Sequence, residues 1–321
     1  MLVSVIVPVY NATRFVTRAV ESALEQPETT EVLLIEDGSP DNALEVCQGL
    51  DAKYDKVKLL RHTNGENRGA GASRNLGMKN AACEYIAFLD ADDYFLPGRF
   101  EVAKQIFKDD PTCEGVYEAI GMHVEDEDAL SRWMASGKPE HQLQTMIEKI
   151  PPDKLADALI FGGKGYFHLD GLIIKKSVLE RTGLMAENLQ LHQDTDFMIR
   201  LAIAGRISPG RLDVPVAKWR VHDHNRISAV RSDIRKLDDR LLMWMELYKW
   251  CKKNGQDEYQ VNISPFILTN IISSKRFGKI IHKWLPRKAM RLYQLMRWLL
   301  SHPQYAFDGY FWHGLGQIIR K

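Results

Sequence analysis

Carboxylate side chains stand at three points of this 321-residue chain where they could do chemistry. Asp90, Asp92 and Asp93 directly follow an apolar run, Asp37 follows another, and Asp194 precedes an apolar helical pattern. The three clustered acids repel one another, and a cation would relieve that repulsion. Their oxygens suit Mg²⁺ or Mn²⁺, which one or two carboxylates hold together with substrate phosphates. The alternative is a turn of solvated acids.

Asp37 and Asp194 each have a structural alternative as well. Asp37 could accept a hydrogen bond from a nucleobase N–H or a ribose hydroxyl, but the residues from Asp37 to Asp41 also form a favourable turn sequence. Asp194 could take a proton from a hydroxyl group. It could instead cap a helix by accepting bonds from the first backbone N–H groups, which would make it a weaker base.

A stretch of small residues, Asn67–Asn75, carries Arg68 and Arg74. Small residues allow a backbone to approach a ligand, and arginine is a common partner of phosphate groups. The stretch lacks the Gly-Lys-Ser/Thr of a Walker loop, and the first predicted strand-to-helix turn lacks the glycines of a dinucleotide fingerprint. The pattern therefore suits a phosphate ligand but matches neither of these motifs.

Strand and helix patterns alternate over about the first 110 residues and would position these groups. A continuous β-branched run such as Val3–Val9 is typical of a strand buried on both faces of a parallel sheet. The order predicts an α/β fold with a doubly wound, mostly parallel sheet, in which ligands bind at the carboxyl ends of the strands. The predicted strands are Val3–Val9, Glu31–Glu36, Val57–Leu60 and Tyr85–Leu89, and the predicted helices are Thr13–Glu25, Asp41–Leu50, Gly71–Ala82 and Pro97–Lys108. Farther on, we predict a strand over Leu169–Ile174, a helix over Asp194–Gly205, and a mostly helical region after Ser228.

The composition is that of a globular protein, with 45% hydrophobic and 26% charged residues. It excludes general disorder and a polytopic membrane protein. Four scattered cysteines without a Cys-x-x-Cys pair favour reduced thiols in a cytosol. The apolar N-terminus lacks a basic segment before it, so we interpret it as a strand and not a signal peptide.

The net charge of +1 hides an uneven distribution. Residues 275–321 contain ten Lys or Arg and one Asp, a net charge of +9, whereas the first 274 residues carry −8. Nine of the 30 aromatic residues lie in the same C-terminal stretch. This mixture suits an interfacial helix on anionic lipid. The alternative is a basic helical subdomain that packs its aromatic residues inward or against a second copy of the chain; no motif supports nucleic acid.

Taken together, these segments resemble the family 2 inverting glycosyltransferases, which have the GT-A fold. The resemblance covers about residues 1–228 and rests on an ordered series of motifs, which is far more specific than any one of them. The matching segments are Ser4–Asn11, Leu34–Ser39, Glu66–Gly77, Glu84–Asp93, Gln193–Phe197 and Trp219–Ser228. The chain departs from the family pattern at Gln193, where a glutamate is usual, and at His224, which adds a second imidazole to the last segment.

The resemblance implies a role for each matching site residue. The residues that would hold the nucleoside of the donor are Pro8, Tyr10, Asp37 and Arg74, with Asp37 on the base and Asp90 on the ribose side. Asp92 would bind Mn²⁺ or Mg²⁺ on the diphosphate, and His222 would approach that metal or the phosphates. Asp194 would be the general base. The segment around Tyr166, Phe167 and Asp170 would help to shape the acceptor pocket, with the two rings as candidates for stacking on sugars.

The resemblance also implies substrates and a domain arrangement. Residues 1–228 would form the GT-A domain, with residues 1–115 binding the nucleotide sugar and 116–228 facing the acceptor, and residues 229–321 would form a helical C-terminal region. The donor would be a UDP-sugar and the acceptor a glycan, in particular a lipid-linked or cell-surface oligosaccharide. We expect a cytoplasmic protein, at the inner face of the cytoplasmic membrane if the basic tail binds lipid.

Two other functions remain open on the sequence. A nucleotidyltransferase that makes nucleotide sugars would need a glycine-rich, basic loop after the first strand, which Pro8–Asn11 does not supply. A non-catalytic module that binds nucleotide sugars or glycans is suggested by Gln193, but the presence of both Asp92 and Asp194 argues against it.

Overall fold

The computed structural model describes residues 1–125, 134, 143–221, 233–273, 298, 299, 305, 308 and 309. The chain divides into two compact units. The first unit comprises Met1–Glu187 and Phe197–Ala229, and the second comprises Asn188–Asp196 and Val230–Lys321. The division into a nucleotide-binding half and an acceptor half within the first unit stays a prediction.

Strands and helices alternate along the chain up to Val221. In chain order, the elements up to residue 124 are β1 (Val3–Val9), α1 (Val16–Leu24), β2 (Thr29–Glu36), α2 (Ala43–Lys53), β3 (Val57–Arg61), α3 (Gly69–Asn80), β4 (Tyr85–Phe88), β5 (Tyr94–Phe95), α4 (Glu101–Asp109), β6 (Gly115–Tyr117) and β7 (Ile120–Val124). They are followed by β8 (Leu143–Gln144), α5 (Pro152–Phe161), β9 (Leu172–Lys175), α6 (Leu179–Thr182), α7 (Gln193–Ala204), β10 (Ile207–Pro209) and β11 (Ala217–Val221).

Among the described residues, seven strands form the main sheet in the order β10-β6-β9-β4-β1-β2-β3. Strands β4, β1, β2 and β3 are parallel to one another, and β9 runs antiparallel between β4 and β6. A smaller sheet has the order β5-β11-β7-β8. The predicted α/β class and the mostly parallel, doubly wound sheet are therefore confirmed.

Helices cover both faces of the main sheet. Successive side chains of a strand point to opposite faces, so a central strand such as β1 packs against helices on both sides. Val5 and Val7 of β1 belong to a buried cluster that also contains apolar residues of α1, α2 and α4. Ile6 points to the other face, where a Cβ on Gly77 of α3 would lie only 2.5 Å from its Cγ2 atom. The glycine thus lets α3 lie close against the sheet.

Several predicted elements begin later than their sequence patterns indicate. The helices predicted from Thr13 and Asp41 begin at Val16 and Ala43. The helix predicted from Pro97 begins at Glu101, because Gly98 has a positive φ of 74° that a helix cannot contain. The strand predicted from Leu169 begins at Leu172, and Leu169–Gly171 form a single 3₁₀ turn instead.

The second unit contains α8 (Asp233–Lys253) and α9 (Asp257–Ser273), which pack against each other with Trp244 stacked on Phe266 at a ring-centroid distance of 4.8 Å. The Tyr248 hydroxyl donates to the Asp308 carboxylate at 2.6 Å. Trp298, Leu299 and Tyr305 are buried. For these residues of the tail, the structure agrees with inward packing; most of residues 275–321 lie outside the described residues. No helix among the described residues is both long enough and apolar enough to cross a bilayer.

Candidate donor and metal site

The predicted site residues of the first unit gather at one edge of the main sheet. Strand β1 lies between β2 and β4, with Val9 beside Glu36 and Ile6 beside Phe88. Because the three strands are parallel, the residues that follow them emerge at the same edge. Tyr10, Asp37 and Asp90 occupy these positions.

Asp37 is a buried acid whose carboxylate is held by the start of α3. Its two oxygens accept the backbone N–H groups of Arg68 at 2.7 Å and Gly69 at 2.8 Å. These N–H groups have no partner inside the helix, so Asp37 caps α3 from a distant part of the sequence. The Asn67 side-chain amide also donates to the Asp37 carbonyl at 2.9 Å. This capping role is one that the sequence did not reveal.

A positive φ of 65° at Gly38 shapes the loop that follows β2. A Cβ at this position would lie 2.8 Å from the Gly65 carbonyl oxygen, so a side chain there would collide with backbone. Glycine therefore allows the loop after β2 to lie directly against the loop before α3, which is how Asp37 reaches the N-terminus of that helix.

Arg74 and Asp90 form an ion pair. Arg74 is buried in the second turn of α3, and its Nη2 donates to Asp90 Oδ1 at 2.5 Å. Two predicted nucleoside-binding residues are thus in direct contact, and Asp90 keeps about a quarter of its side chain exposed at 27%. Pro8 is half-buried in β1, and Tyr10 directly after it is 45% exposed.

The turn after β4 brings three carboxylates together. One oxygen each of Asp90, Asp92 and Asp93 lies within 4.8 Å of the others. The turn is closed by the Asp93 N–H donating to the Asp90 carbonyl at 3.0 Å. A second group with the same spacing joins Asp93 to His168 and Asp170, which are distant in sequence.

Burial and mutual repulsion govern the protonation of this cluster. Burial raises the pKa of Asp93 well above its ordinary value, and Asp170 and Asp92 beside it act in the same direction. Burial also raises the pKa of Asp90, against the opposing effect of Arg74. Burial disfavours an ionised Asp170 too, but His168 and hydrogen bonds from Asp93 and the Asp90 N–H outweigh it and lower the pKa of Asp170.

The carboxylates of Asp90, Asp92 and Asp93 lie close together and repel one another, and a bound cation would relieve that repulsion. Asp90 and Asp92 remain half-buried, so a ligand can reach them. Closely spaced carboxylate oxygens at an accessible sheet edge are a donor set of the kind that Mg²⁺ and Mn²⁺ take. The residues present therefore fit a divalent cation.

Strand β11 leads the chain to the same turn. The Arg220 backbone N–H donates to Asp93 Oδ1 at 2.8 Å, one residue before β11 ends at Val221. Arg220 also forms an ion pair with Glu125. The predicted metal ligand His222, like His224, lies outside the described residues, directly after this anchored strand.

Asp194 is the second residue of α7 and not its capping residue. Its Oδ1 accepts the N–H of the next residue, Thr195, at 2.8 Å, and its side chain is half-buried. The preceding Gln193 is buried, and its Oε1 has no hydrogen-bond donor among the described residues. A neutral amide at this position avoids the cost of burying an unpaired charge.

The acceptor-side candidates separate into one core ring and one surface ring. Phe167 is buried and stacks on Tyr117 at a centroid distance of 4.6 Å, whereas Tyr166 is 39% exposed. Asp170 is fully buried and belongs to the acid cluster. Of the three, Tyr166 alone offers a ring to solvent.

The family model for Glycosyl transferase family 2 matches residues 4–183. A glycosyltransferase of Rickettsia felis is 30% identical over 228 residues, covering 69% of this chain and 34% of that protein. The Bacillus subtilis minor teichoic acid biosynthesis protein GgaA is 26% identical over 209 residues, covering 62% of this chain and 43% of that protein. The chain thus spans less than half the length of these two relatives.

Solved structures agree in fold. Staphylococcus aureus TarS 1–349 in complex with UDP-GlcNAc has a TM-score of 0.56 at 17% identity and covers 100% of this chain and 81% of its own. The mannosyltransferase PcManGT from Pyrobaculum calidifontis, in complex with GDP-Man and Mn²⁺, has a TM-score of 0.51 at 16% identity. The match covers 99% of this chain and 86% of the mannosyltransferase. The predicted GT-A fold is therefore confirmed.

Proposed function

The chain belongs to glycosyl transferase family 2, and we propose that it is an inverting enzyme that transfers a sugar from a nucleoside diphosphate sugar to a glycan hydroxyl. The observation that carries the proposal is the gathering of Asp37, Arg74, Asp90 and Asp92 at the carboxyl edge of strands β2 and β4. This edge is where α/β sheets bind nucleotides.

The donor base stacks on or beside Tyr10, whose side chain is 45% exposed directly after β1. Asp37 accepts an N–H of the base with a lone pair that its two backbone bonds leave over, which favours uracil because its ring carries an imide N–H. Arg74 and Asp90 fix the ribose and the diphosphate, and Pro8 shapes the pocket floor. The TarS complex with UDP-GlcNAc supports a UDP-sugar as donor.

Asp92 would hold a divalent cation, Mn²⁺ or Mg²⁺, at the donor diphosphate, and His222 would approach this cation or the phosphates. When bound, this cation neutralises the charge that builds up on the leaving diphosphate. The acidic cluster and the Mn²⁺ in the mannosyltransferase complex support this assignment.

Asp194 acts as the general base. It takes the proton of the acceptor hydroxyl while that oxygen forms a bond to the anomeric carbon, and the bond from this carbon to the diphosphate oxygen breaks with its electron pair. Attack from the face opposite the leaving group inverts the anomeric configuration. Holding the two partners in line supplies much of the rate enhancement.

The acceptor is a cell-surface or lipid-linked glycan. Two relatives bear names from such pathways, namely minor teichoic acid biosynthesis for GgaA and succinoglycan biosynthesis for ExoU of Rhizobium meliloti. The basic stretch of residues 275–321 would bring the enzyme to an anionic membrane where such acceptors are presented.

A screen of nucleotide sugars for Mn²⁺-dependent hydrolysis tests the proposal. We expect at least one UDP-sugar to release UDP, with the release abolished by EDTA and by Asp92→Ala. Asp55→Ala is the matched control, since Asp55 is an exposed acid at the opposite end of the sheet, before β3. Donor binding without turnover on any acceptor would identify a binding module, and release of pyrophosphate from a sugar phosphate and UTP would identify a nucleotidyltransferase.

A further inference from the structure

Asp170 reaches the metal-binding turn from a distant part of the sequence. Strand β9 runs antiparallel beside β4, with Ala87 opposite Ile173. Continuing this register by three residues places Asp170 opposite Asp90. The contact is direct, because the Asp90 backbone N–H donates to Asp170 Oδ1 at 3.1 Å.

The backbone of Asp170 is itself fixed on its far side. The Arg99 guanidinium donates through Nε to the Asp170 carbonyl at 3.0 Å and pairs with Glu118 at 3.1 Å, and both charged side chains are fully buried. The Glu118 N–H donates to the Gly171 carbonyl at 2.9 Å. A Cβ on Gly171 would lie 2.2 Å from the Glu118 carbonyl oxygen, so only glycine permits this approach.

The Asp170 side chain also touches the rest of the acid cluster. Its Oδ2 lies 3.5 Å from His168 Nδ1, and one ligand atom each of Asp93, His168 and Asp170 lies within 4.8 Å of the others. Asp93 in turn accepts the Arg220 N–H at the end of β11. One fully buried carboxylate therefore contacts the first and the last acid of the turn while leaving Asp92 between them.

We propose that Asp170 is a positioning residue that holds the Asp90–Asp93 turn in the geometry in which Asp92 binds the divalent cation. The inference rests on the proposed function, since it presupposes a metal-binding turn. Asp170 itself is fully buried behind the turn and acts through Asp90 and Asp93. Loss of a group that orients metal ligands typically weakens metal binding 10- to 100-fold.

Titration of the full chain with Mn²⁺ in the presence of UDP, followed by the electron paramagnetic resonance signal of free Mn²⁺, tests this role. We expect Asp170→Asn to weaken Mn²⁺ binding about 10-fold and Asp170→Ala by about 10- to 100-fold. Affinity for UDP without metal should stay within about twofold, which separates metal positioning from a general loss of structure.

Glu31→Gln is the matched control. Glu31 is also a buried carboxylate that accepts a backbone N–H, from Ala82 at 2.6 Å, but it lies at the opposite end of β2. This variant should bind Mn²⁺ as tightly as the unchanged protein. Thermal unfolding of each variant shows whether it folds; if Asp170→Ala does not, the isosteric Asp170→Asn decides.

Mn²⁺ affinity unchanged in Asp170→Asn, with Asp92→Ala abolishing binding, would overturn the positioning role and leave the proposed function intact. Equal weakening in Asp170→Asn and Glu31→Gln would also overturn it, because the effect would then follow from lost stability. Failure of the unchanged protein to bind Mn²⁺ with UDP would instead overturn the metal site of the proposed function, and the inference with it.

Discussion

The acid after β2 and the acids after β4 emerge at the same sheet edge but in opposite electrostatic situations. Asp37 is buried with a backbone N–H on each oxygen, at 2.7 and 2.8 Å. The turn after β4 gathers Asp90, Asp92 and Asp93, whose ligand oxygens lie within 4.8 Å of one another, and Arg74 pairs with Asp90. Donors supplied by the fold satisfy the first acid, whereas the second group accumulates charge.

This difference separates the acid that the fold needs even without a ligand from the acids that only a bound metal needs. Removal of Asp37 leaves N–H groups of α3 without acceptors, so its cost falls first on stability. Removal of Asp92 relieves repulsion in a metal-free protein, so its cost falls on metal-dependent chemistry. Substitution of Asp37 should therefore change stability first, whereas substitution of Asp92 should change metal-dependent activity. The opposite result at either residue would contradict the contrast.

The largest effect is expected for Asp92→Ala. Removing the metal ligand withdraws several kcal/mol of stabilisation from the leaving diphosphate, so we expect transfer or donor hydrolysis to fall by about 10³-fold or more. The rate is measured at saturating donor with Mn²⁺ present. Stability without metal should be unchanged or slightly increased, and a large loss of stability would contradict the contrast.

Asp194→Asn should reduce transfer by about 10²- to 10³-fold, because the amide cannot accept the proton of the acceptor hydroxyl. Donor and Mn²⁺ affinity should remain as in the unchanged protein, as measured by calorimetric titration. This result would place Asp194 in a role separate from the donor site. Unchanged transfer would remove it as the base.

Asp37→Ala should lower the free energy of unfolding by about 1–3 kcal/mol in metal-free buffer, because two buried N–H groups lose their acceptor. Urea unfolding followed by circular dichroism measures the change. Asp37→Asn should lose less, since its side-chain oxygen still accepts one bond. Equal stability of Asp37→Ala and the unchanged protein would show that the capping bonds contribute nothing.

The smallest effect is expected at the other end of β2, where Ser4, Ala82 and Lys58 surround Glu31. Burial alone would raise the pKa of Glu31, but hydrogen bonds from these groups outweigh it and lower the pKa below its ordinary value of 4.5. The ionised group therefore adds stability above pH 4.5 that is lost as the pH falls through its lowered pKa. Glu31→Gln should lower the free energy of unfolding by about 1–2 kcal/mol at pH 7.

In urea unfolding across pH, this Glu31→Gln difference should shrink below pH 4.5. Catalysis at pH 7 should not change, which distinguishes this structural acid from those after β4. A constant difference down to pH 2 would contradict the assigned pKa direction.

The features that could be predicted from the sequence are those that depend on the order of strands and helices along the chain. The run Val3–Val9 could be recognised as a strand. The acids after β4 could be placed at one edge of the sheet, because the carboxyl ends of parallel strands all lie there. Asp170 could not be placed, because its position opposite Asp90 depends on the pairing of β9 with β4, which are separated by more than 80 residues. For the same reason, the capping of α3 by Asp37 was not visible.

Backbone geometry explains the displaced boundaries. The residues before Glu101 include Gly98 with a left-handed φ, so the apolar helical pattern after Pro97 begins before the helix itself does. Gly171 must approach the Glu118 carbonyl, and this contact turns the chain before β9 starts. Helical and strand periodicity carry no information about the φ of Gly98 or about the approach of Gly171 to Glu118.

Anomalous scattering from crystals grown with Mn²⁺ and UDP tests the central claim most directly. The account predicts one manganese peak bound to the Asp92 carboxylate at the end of β4, with the uracil at the edge formed by Tyr10 and Asp37. UDP bound with manganese located only elsewhere, or with no manganese at all, would contradict it.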